Sequence, residues 1–143
     1  MLVGHVNHML DEKKRIRIPL PYKALMTSDL IMCVSVNGCI GVYTQEAFDK
    51  AFSAYNERTG FDAKFEMYYT KFLSNCFNVS ADQQGRIIVP EALRKFAGIK
   101  KAVTTVGKSD HLEIWATERY EELNDVDSLN EMFEALNEMV SKQ

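Results

Sequence analysis

At 143 residues and 16.4 kDa the chain is one compact unit or two very small ones fused. A content of 46% hydrophobic and 26% charged residues excludes a disordered chain, and the run Ile31-Met32-Cys33-Val34 is far too short to span a membrane. The first eight residues lack a basic stretch followed by an apolar one, and Cys33, Cys39 and Cys76 form no C-x-x-C pair. The sequence therefore predicts a cytoplasmic protein without a disulfide framework. The net charge of −3 hides an asymmetry: residues 1–109 carry 15 Lys/Arg against 10 Asp/Glu, and residues 110–143 carry 2 against 10. A mildly basic body with an acidic tail suits a surface that faces a polyanion, although the solvated face of a helix would give the same tail.

In chain order, Arg15-Ile16-Arg17-Ile18 alternates polar and apolar residues, the period of a half-buried strand. Pro21 opens a short helix around Tyr22 to Met26. Ile31 to Val36 and Cys39 to Tyr43 flank Asn37-Gly38, which predicts a hairpin closed by a two-residue type I′ turn. Phe48, Phe52 and Tyr55, then Phe61, Phe65, Tyr68, Tyr69 and Phe72, recur at helical spacing on either side of Gly60. Pro90 ends a strand beginning at Arg86 and starts a helix from Glu91 to Ala97, with Gly98 as its stop. Val103 to Val106 and Leu112 to Trp115 flank a longer turn, Gly107 to Asp110. Leu129, Met132, Phe133, Leu136, Met139 and Val140 form the apolar face of a last helix, with Ser128 and Glu131 as its capping box. These aromatic and methionine stripes are core or subunit-interface material rather than a cofactor site.

The chain also repeats itself. Asp11-Glu-Lys-Lys-Arg15-Ile-Arg-Ile-Pro19 recurs 71 residues later as Asp82-Gln-Gln-Gly-Arg86-Ile-Ile-Val-Pro90, and Ile31 to Tyr43 matches Val103 to Trp115. Each Asp-x-x-x-Arg segment reads as a turn with a strand leaving it, the carboxylate and guanidinium facing each other across the turn. Each unit is then strand, turn, strand, short helix and hairpin. Residues 1–48 and 76–120 are the two units, 49–75 a helical insert and 121–143 an acidic C-terminal helix.

No P-loop, G-x-G-x-x-G, G-x-S-x-G, H-E-x-x-H or zinc-type cysteine spacing occurs. His5 and His8, three apart in a strand, would point to opposite faces and do not pair as metal ligands. Nothing in the sequence argues for an enzyme, a metal or another cofactor.

The duplicated Asp-x-x-x-Arg turn, each copy followed by an apolar strand and Pro, resembles the MraZ family of bacterial proteins. Gly4 to Asp11, Gly98 and Leu112-Glu-Ile-Trp115 resemble it as well. One departure is Lys14, where the family usually carries the glycine present at Gly85. The resemblance implies an α+β fold: two tandem AbrB-like swapped-hairpin units forming one pseudo-two-fold, β-barrel-like core with flanking helices. It also implies a cytoplasmic, nucleoid-associated transcriptional regulator that binds repeated sites on double-stranded DNA upstream of the division and cell-wall gene cluster. Assembly into a ring of identical subunits is part of the same expectation. Arg15 and Arg86 match the motif arginines implicated in DNA contact. Lys13, Lys14, Arg15 and Arg17 add four cations within five residues, so the first turn should be the stronger phosphate binder. For Arg86, DNA contact and clamping of its own turn remain equal readings. The alternative function is an oligomeric interaction scaffold that does not touch DNA.

Overall fold

The computed structural model describes all residues except Thr27, Ser28, Thr59, Phe61 and Gln143. Phe61 of the second aromatic stripe therefore lies outside the described residues. In chain order the elements are β1 (His5–Met9), β2 (Arg15–Arg17), α1 (Leu20–Lys23), β3 (Leu30–Val34), β4 (Ile40–Thr44), α2 (Gln45–Asn56), α3 (Ala63–Ser74), β5 (Cys76–Val79), β6 (Arg86–Ile88), α4 (Glu91–Ala97), β7 (Ala102–Lys108), β8 (His111–Ala116), α5 (Thr117–Leu123) and α6 (Val126–Ser141). The class is α+β.

Six strands form one antiparallel sheet in the order β1-β7-β8-β4-β3-β5, and β2 pairs with β6 as a separate two-stranded ribbon. Under the 71- and 72-residue offsets of the repeat, β1 corresponds to β5, β7 to β3 and β8 to β4, so the sheet order reads the same from either end. The registers carry the same symmetry. In the sheet, Gly41 lies opposite Glu113, with Ile40↔Ile114 and Val42↔Leu112 on either side. In the ribbon, Ile16 lies opposite Ile87, flanked by Arg15↔Ile88 and Arg17↔Arg86. A pseudo-two-fold axis passes through both central pairs. The first strand of each unit pairs with the hairpin of the other: β1 with β7, and β5 with β3.

The sheet is open, with β1 and β5 at its ends, and no closed barrel forms. The physical reason is that β2 and β6, which could have joined the sheet edges, pair with each other over one of its faces. Ile16 and Ile87 drop from the ribbon into the main core, where they meet Leu30, Met32, Ile40, Val42, Leu112 and Ile114 from the sheet and Leu93 and Ala97 from α4. Alternation along each strand sends the remaining residues to the other face. There Cys33, Tyr43 and Ala47 pack with Phe48, Phe52, Phe72 and Cys76, which accounts for the aromatic stripes of α2 and α3. On this face the Tyr120 ring of α5 lies tilted against His5 and edge-on to Trp115, at ring separations of 5.1 and 6.5 Å.

Several local expectations need correcting. The β3–β4 loop is not a type I′ turn: Ser35 N–H donates to Cys39 O at 3.0 Å and Gly38 N–H to Ser35 O at 3.1 Å. Gly38 has φ +77° while Asn37 does not enter positive φ, so a three-residue loop with glycine at its last position makes the reversal. The β7–β8 hairpin is longer and tighter than expected, pairing out to Lys108↔His111. The short first helix sits earlier, at Leu20–Lys23. The last helix is capped not by Ser128 but by Asp125, whose carboxylate accepts the Ser128 N–H at 2.7 Å. By contrast α4 runs from Glu91 to Ala97 and stops at left-handed Gly98, the bounds read from the sequence.

Candidate nucleic-acid interface

The two Asp-x-x-x-Arg turns are built alike. In the first, Asp11 N–H donates to Arg15 O at 2.9 Å and Lys14 N–H to Asp11 O at 3.0 Å; in the second, Asp82 N–H donates to Arg86 O at 2.9 Å and Gly85 N–H to Asp82 O at 3.0 Å. Oδ1 of Asp11 accepts the N–H groups of Lys13 and Arg15, both at 2.9 Å. Oδ1 of Asp82 accepts those of Gln84 at 2.8 Å and Arg86 at 2.9 Å. The carboxylate thus holds the turn from inside, as aspartate does wherever its side chain satisfies local backbone donors.

Both arginines also clamp. Arg15 Nε donates to Asp11 Oδ2 at 2.7 Å, and Arg86 Nε to Asp82 Oδ2 at 2.8 Å. Arg15 does more, since its Nη1 lies 3.7 Å from Asp82 Oδ2 and ties the first turn to the second. Partial desolvation pushes the Asp11 carboxyl up, but hydrogen bonds from the Arg15 backbone and guanidinium and from Lys13 N–H more than offset it. The Asp82 carboxyl is likewise held below its ordinary value, chiefly by the Arg86 N–H. Both turns are therefore preformed at neutral pH, with the Nε edge of each guanidinium already engaged.

Position 14 answers a question the sequence leaves open. Lys14 has φ +63° and its counterpart Gly85 has φ +76°, so lysine adopts the left-handed conformation that glycine fills in the second turn. A side chain there is strained by roughly 1 kcal/mol. Lys14→Gly is accordingly expected to raise stability by up to about 1 kcal/mol in a denaturant titration while removing a cation from the turn. A loss of stability would mean that the Lys14 side chain makes a compensating contact.

Strand alternation and the register of β2 with β6 bring the predicted residues together. Arg15, Arg17 and Arg86 share one face of the ribbon with Ile88, opposite the buried Ile16 and Ile87. Lys13, Lys14 and Arg17 are exposed, whereas Arg15 and Arg86 are partly buried by their clamps. Shallow concavities flank the ribbon. One is lined by His8, Met9, Asp11 and Arg17, the other by Phe77, Asn78, Ile88 and Pro90; Arg15 and Arg86 border both. Counting Asp11, Glu12 and Asp82, five cations face three carboxylates. The charge is modest and concentrated at the Lys13–Lys14 end; Gln83 and Gln84 stand at the corresponding positions of the second turn.

Sequence reasoning did not find the Arg15–Asp82 bridge or the pairing of the two motif strands. The signal available was the duplication itself, since two short strands of like sequence related by a two-fold axis can pair in register. The acidic segment begins with α5 on the other face of the sheet, away from the ribbon, where Thr117 Oγ1 lies 3.1 Å from Thr104 Oγ1. Along α6, Leu129, Met132, Phe133, Leu136, Met139 and Val140 are all exposed. Among the described residues no helix is long and apolar enough to cross a membrane.

The family model for the MraZ protein matches residues 72–142. A protein of Dictyoglomus turgidum named transcriptional regulator MraZ is 30% identical over 142 residues, covering 99% of this chain and 97% of the relative. One of Mycoplasmopsis synoviae with the same name is 31% identical over 129 residues, covering 87% and 88%. A third, of Mycoplasmoides gallisepticum, is 26% identical over 140 residues, covering 96% and 99%.

Proposed function

The chain belongs to the MraZ family, and from that membership together with the shared arginine face of the β2–β6 ribbon we propose that it is a DNA-binding transcriptional regulator, not an enzyme. Its relatives are named as transcriptional regulators. The observation that carries the reading is the placement of Arg15, Arg17 and Arg86 on one face of a two-stranded ribbon, with Lys13 and Lys14 at its end. Adjacent strands lie about 4.8 Å apart, so such a ribbon fits within a major groove roughly 12 Å wide. Arg17, Lys13 and Lys14 are the contacts to phosphates or guanine edges. Arg15 and Arg86 hold the turns through Nε and present the rest of the guanidinium to the duplex.

The finer reading is that the two units are AbrB-like swapped hairpins. The exchange of β1 and β5 between units supports it. The protein then acts in the cytoplasm, at the nucleoid, on repeated sites upstream of the division and cell-wall gene cluster. It works as a ring-like homo-oligomer, for which the exposed apolar face of α6 is the available interface. One copy of this ribbon makes few phosphate contacts, and several copies on phased repeats raise avidity by roughly 10²–10⁴.

The test is binding of the full-length protein to duplexes from upstream of its own gene, carrying one or three repeats, across a salt series. Steeply salt-dependent binding, far tighter to three repeats, is expected. Absence of binding to these duplexes would replace this reading with the scaffold alternative, and equal affinity for one and three repeats, or a monomer in light scattering, would overturn the assembly.

A further inference from the structure

The face of the sheet turned away from the ribbon carries a pair of thiols that the DNA-binding reading does not use. Cys33 of β3 and Cys76 of β5 are direct cross-strand partners. Val34 N–H donates to Asn75 O at 3.4 Å, so the hydrogen-bonded pair is the neighbouring one and Cys33↔Cys76 is a non-hydrogen-bonded pair. In such pairs the Cα atoms stand about 4.5 Å apart with their side chains on the same face, within the span a disulfide bridges. The two side chains sit in one cluster with Tyr43, Phe48, Phe52 and Phe72. Cys33 is fully buried and Cys76 half-buried, and both are free thiols together with Cys39.

Exposure decides which sulfur a peroxide meets first: Cys76 is half-buried and Cys33 fully buried. Cys76 Sγ donates to the Phe72 carbonyl at 3.2 Å, and Cys33 is its direct partner across the strand pair. The neighbouring Cys33 thiol lowers the Cys76 pKa against the opposing effect of burial, while the Cys33 thiol is pushed strongly up by Cys76 and by burial. Burial raises the Cys39 thiol to about 12. Cys39 is also badly placed: Cys33 lies opposite Gly41, which puts Cys39 on the diagonal, roughly 7–8 Å away between Cα atoms.

We propose that Cys33 and Cys76 are a reversible redox modification site, closing to a disulfide on exposure to a hydroperoxide. The Cys76 thiolate attacks the peroxide, forming an S–O bond as the O–O bond breaks and hydroxide departs, to be protonated to water. The Cys33 sulfur then attacks the resulting sulfenic acid. An S–S bond forms, the S–O bond breaks, and the hydroxyl leaves with the Cys33 proton as water. Two thiols are oxidised and one hydroperoxide is reduced to two waters (one water and one alcohol when the hydroperoxide is organic). The link ties the terminal strand of the sheet to its neighbour and closes the segment that holds α2 and α3.

The experiment treats the full-length protein with a small excess of hydrogen peroxide, then alkylates it under denaturing conditions and maps the peptides by mass. Expected are a loss of two hydrogen masses, alkylation at Cys39 alone, a Cys33–Cys76 linked peptide within one chain, and restoration of all thiols by dithiothreitol. The oxidised form should also melt several degrees higher. The Cys39→Ser variant should oxidise identically. Three alkylatable thiols after treatment, a link to Cys39 or between chains, or irreversible oxidation of Cys76 without a link would each overturn the proposal.

Discussion

Ile87→Ala should lower the free energy of unfolding by about 2–5 kcal/mol, a large share of the roughly 5–15 kcal/mol that holds an ordinary domain together. Ile87 is 1% exposed and faces Ile16, at 2%, where the pseudo-two-fold axis crosses the ribbon. Both side chains reach from a three-residue strand into the core of the six-stranded sheet. Truncating one leaves a cavity that so short a strand, fixed at both ends by the aspartate turn and the following proline, cannot collapse to fill. Because the axis gives the two residues matching surroundings, Ile16→Ala should cost nearly as much. The double variant should depart from additivity, since the two side chains share one cavity. Urea unfolding of the three variants measures this. A loss below about 1 kcal/mol would mean that the ribbon lies on the core without belonging to it.

The second large effect concerns DNA. Replacing Lys13, Lys14 and Arg17 together by alanine should reduce the slope of log affinity against log salt by about one for each cation that meets a phosphate. Arg17→Ala alone should cost about 1–3 kcal/mol if its guanidinium reaches a guanine edge, and then most at the sequences it reads. None of the three side chains is committed to a hydrogen bond or ion pair within the described residues, so thermal stability should stay nearly level. Arg15→Ala and Arg86→Ala are expected to differ. Each removes a clamp on an aspartate carboxylate, and Arg15 also removes the bridge between the turns. Their melting temperatures should fall along with their affinity, and the fall should be greater for Arg15. Equal behaviour of Arg15→Ala and Arg17→Ala in both assays would contradict the division of labour read from the geometry.

How much of this was legible in the sequence depends on the range over which each feature is determined. Helix α4 and the two aspartate turns rest on residues a few positions apart, and Pro90, Gly98 and the Asp-x-x-x-Arg spacing were sufficient to draw them. The β3–β4 loop shows the limit of such short-range signals. Asn37-Gly38 marks the reversal correctly, but whether asparagine enters the left-handed region depends on which residues of the flanking strands pair. The cap of α6 moved three residues for a similar reason: Asp125 and Ser128 both suit the position, and the start of the helix decides between them. The candidate interface was half legible. Its cations could be named, but their gathering on one face follows from the pairing of β2 with β6, residues about 70 apart whose encounter only the duplication hints at. The open sheet was the least legible feature. Closing a barrel and pairing the two motif strands over one face compete for the same residues, and the burial of Ile16 and Ile87 in the main core favours the second.

The exchange of first strands between the two halves also sets the order in which the chain can acquire structure as it leaves the ribosome. His5 to Met9 find their partners only in Val106 to Ala102, almost a hundred residues later. Until those residues emerge, the N-terminal strand has no place in the sheet. The β3–β4 hairpin can form early, yet its neighbours β5 and β8 arrive from the second half. Neither half closes its own hydrophobic surface, so synthesis must be nearly complete before the nascent chain folds cooperatively. Contacts this distant in sequence make the search slow. A stalled chain ending before β5 would present Val6, Leu30, Met32 and Ile40 to the cytosol together, a substrate for chaperones or proteases rather than half a regulator.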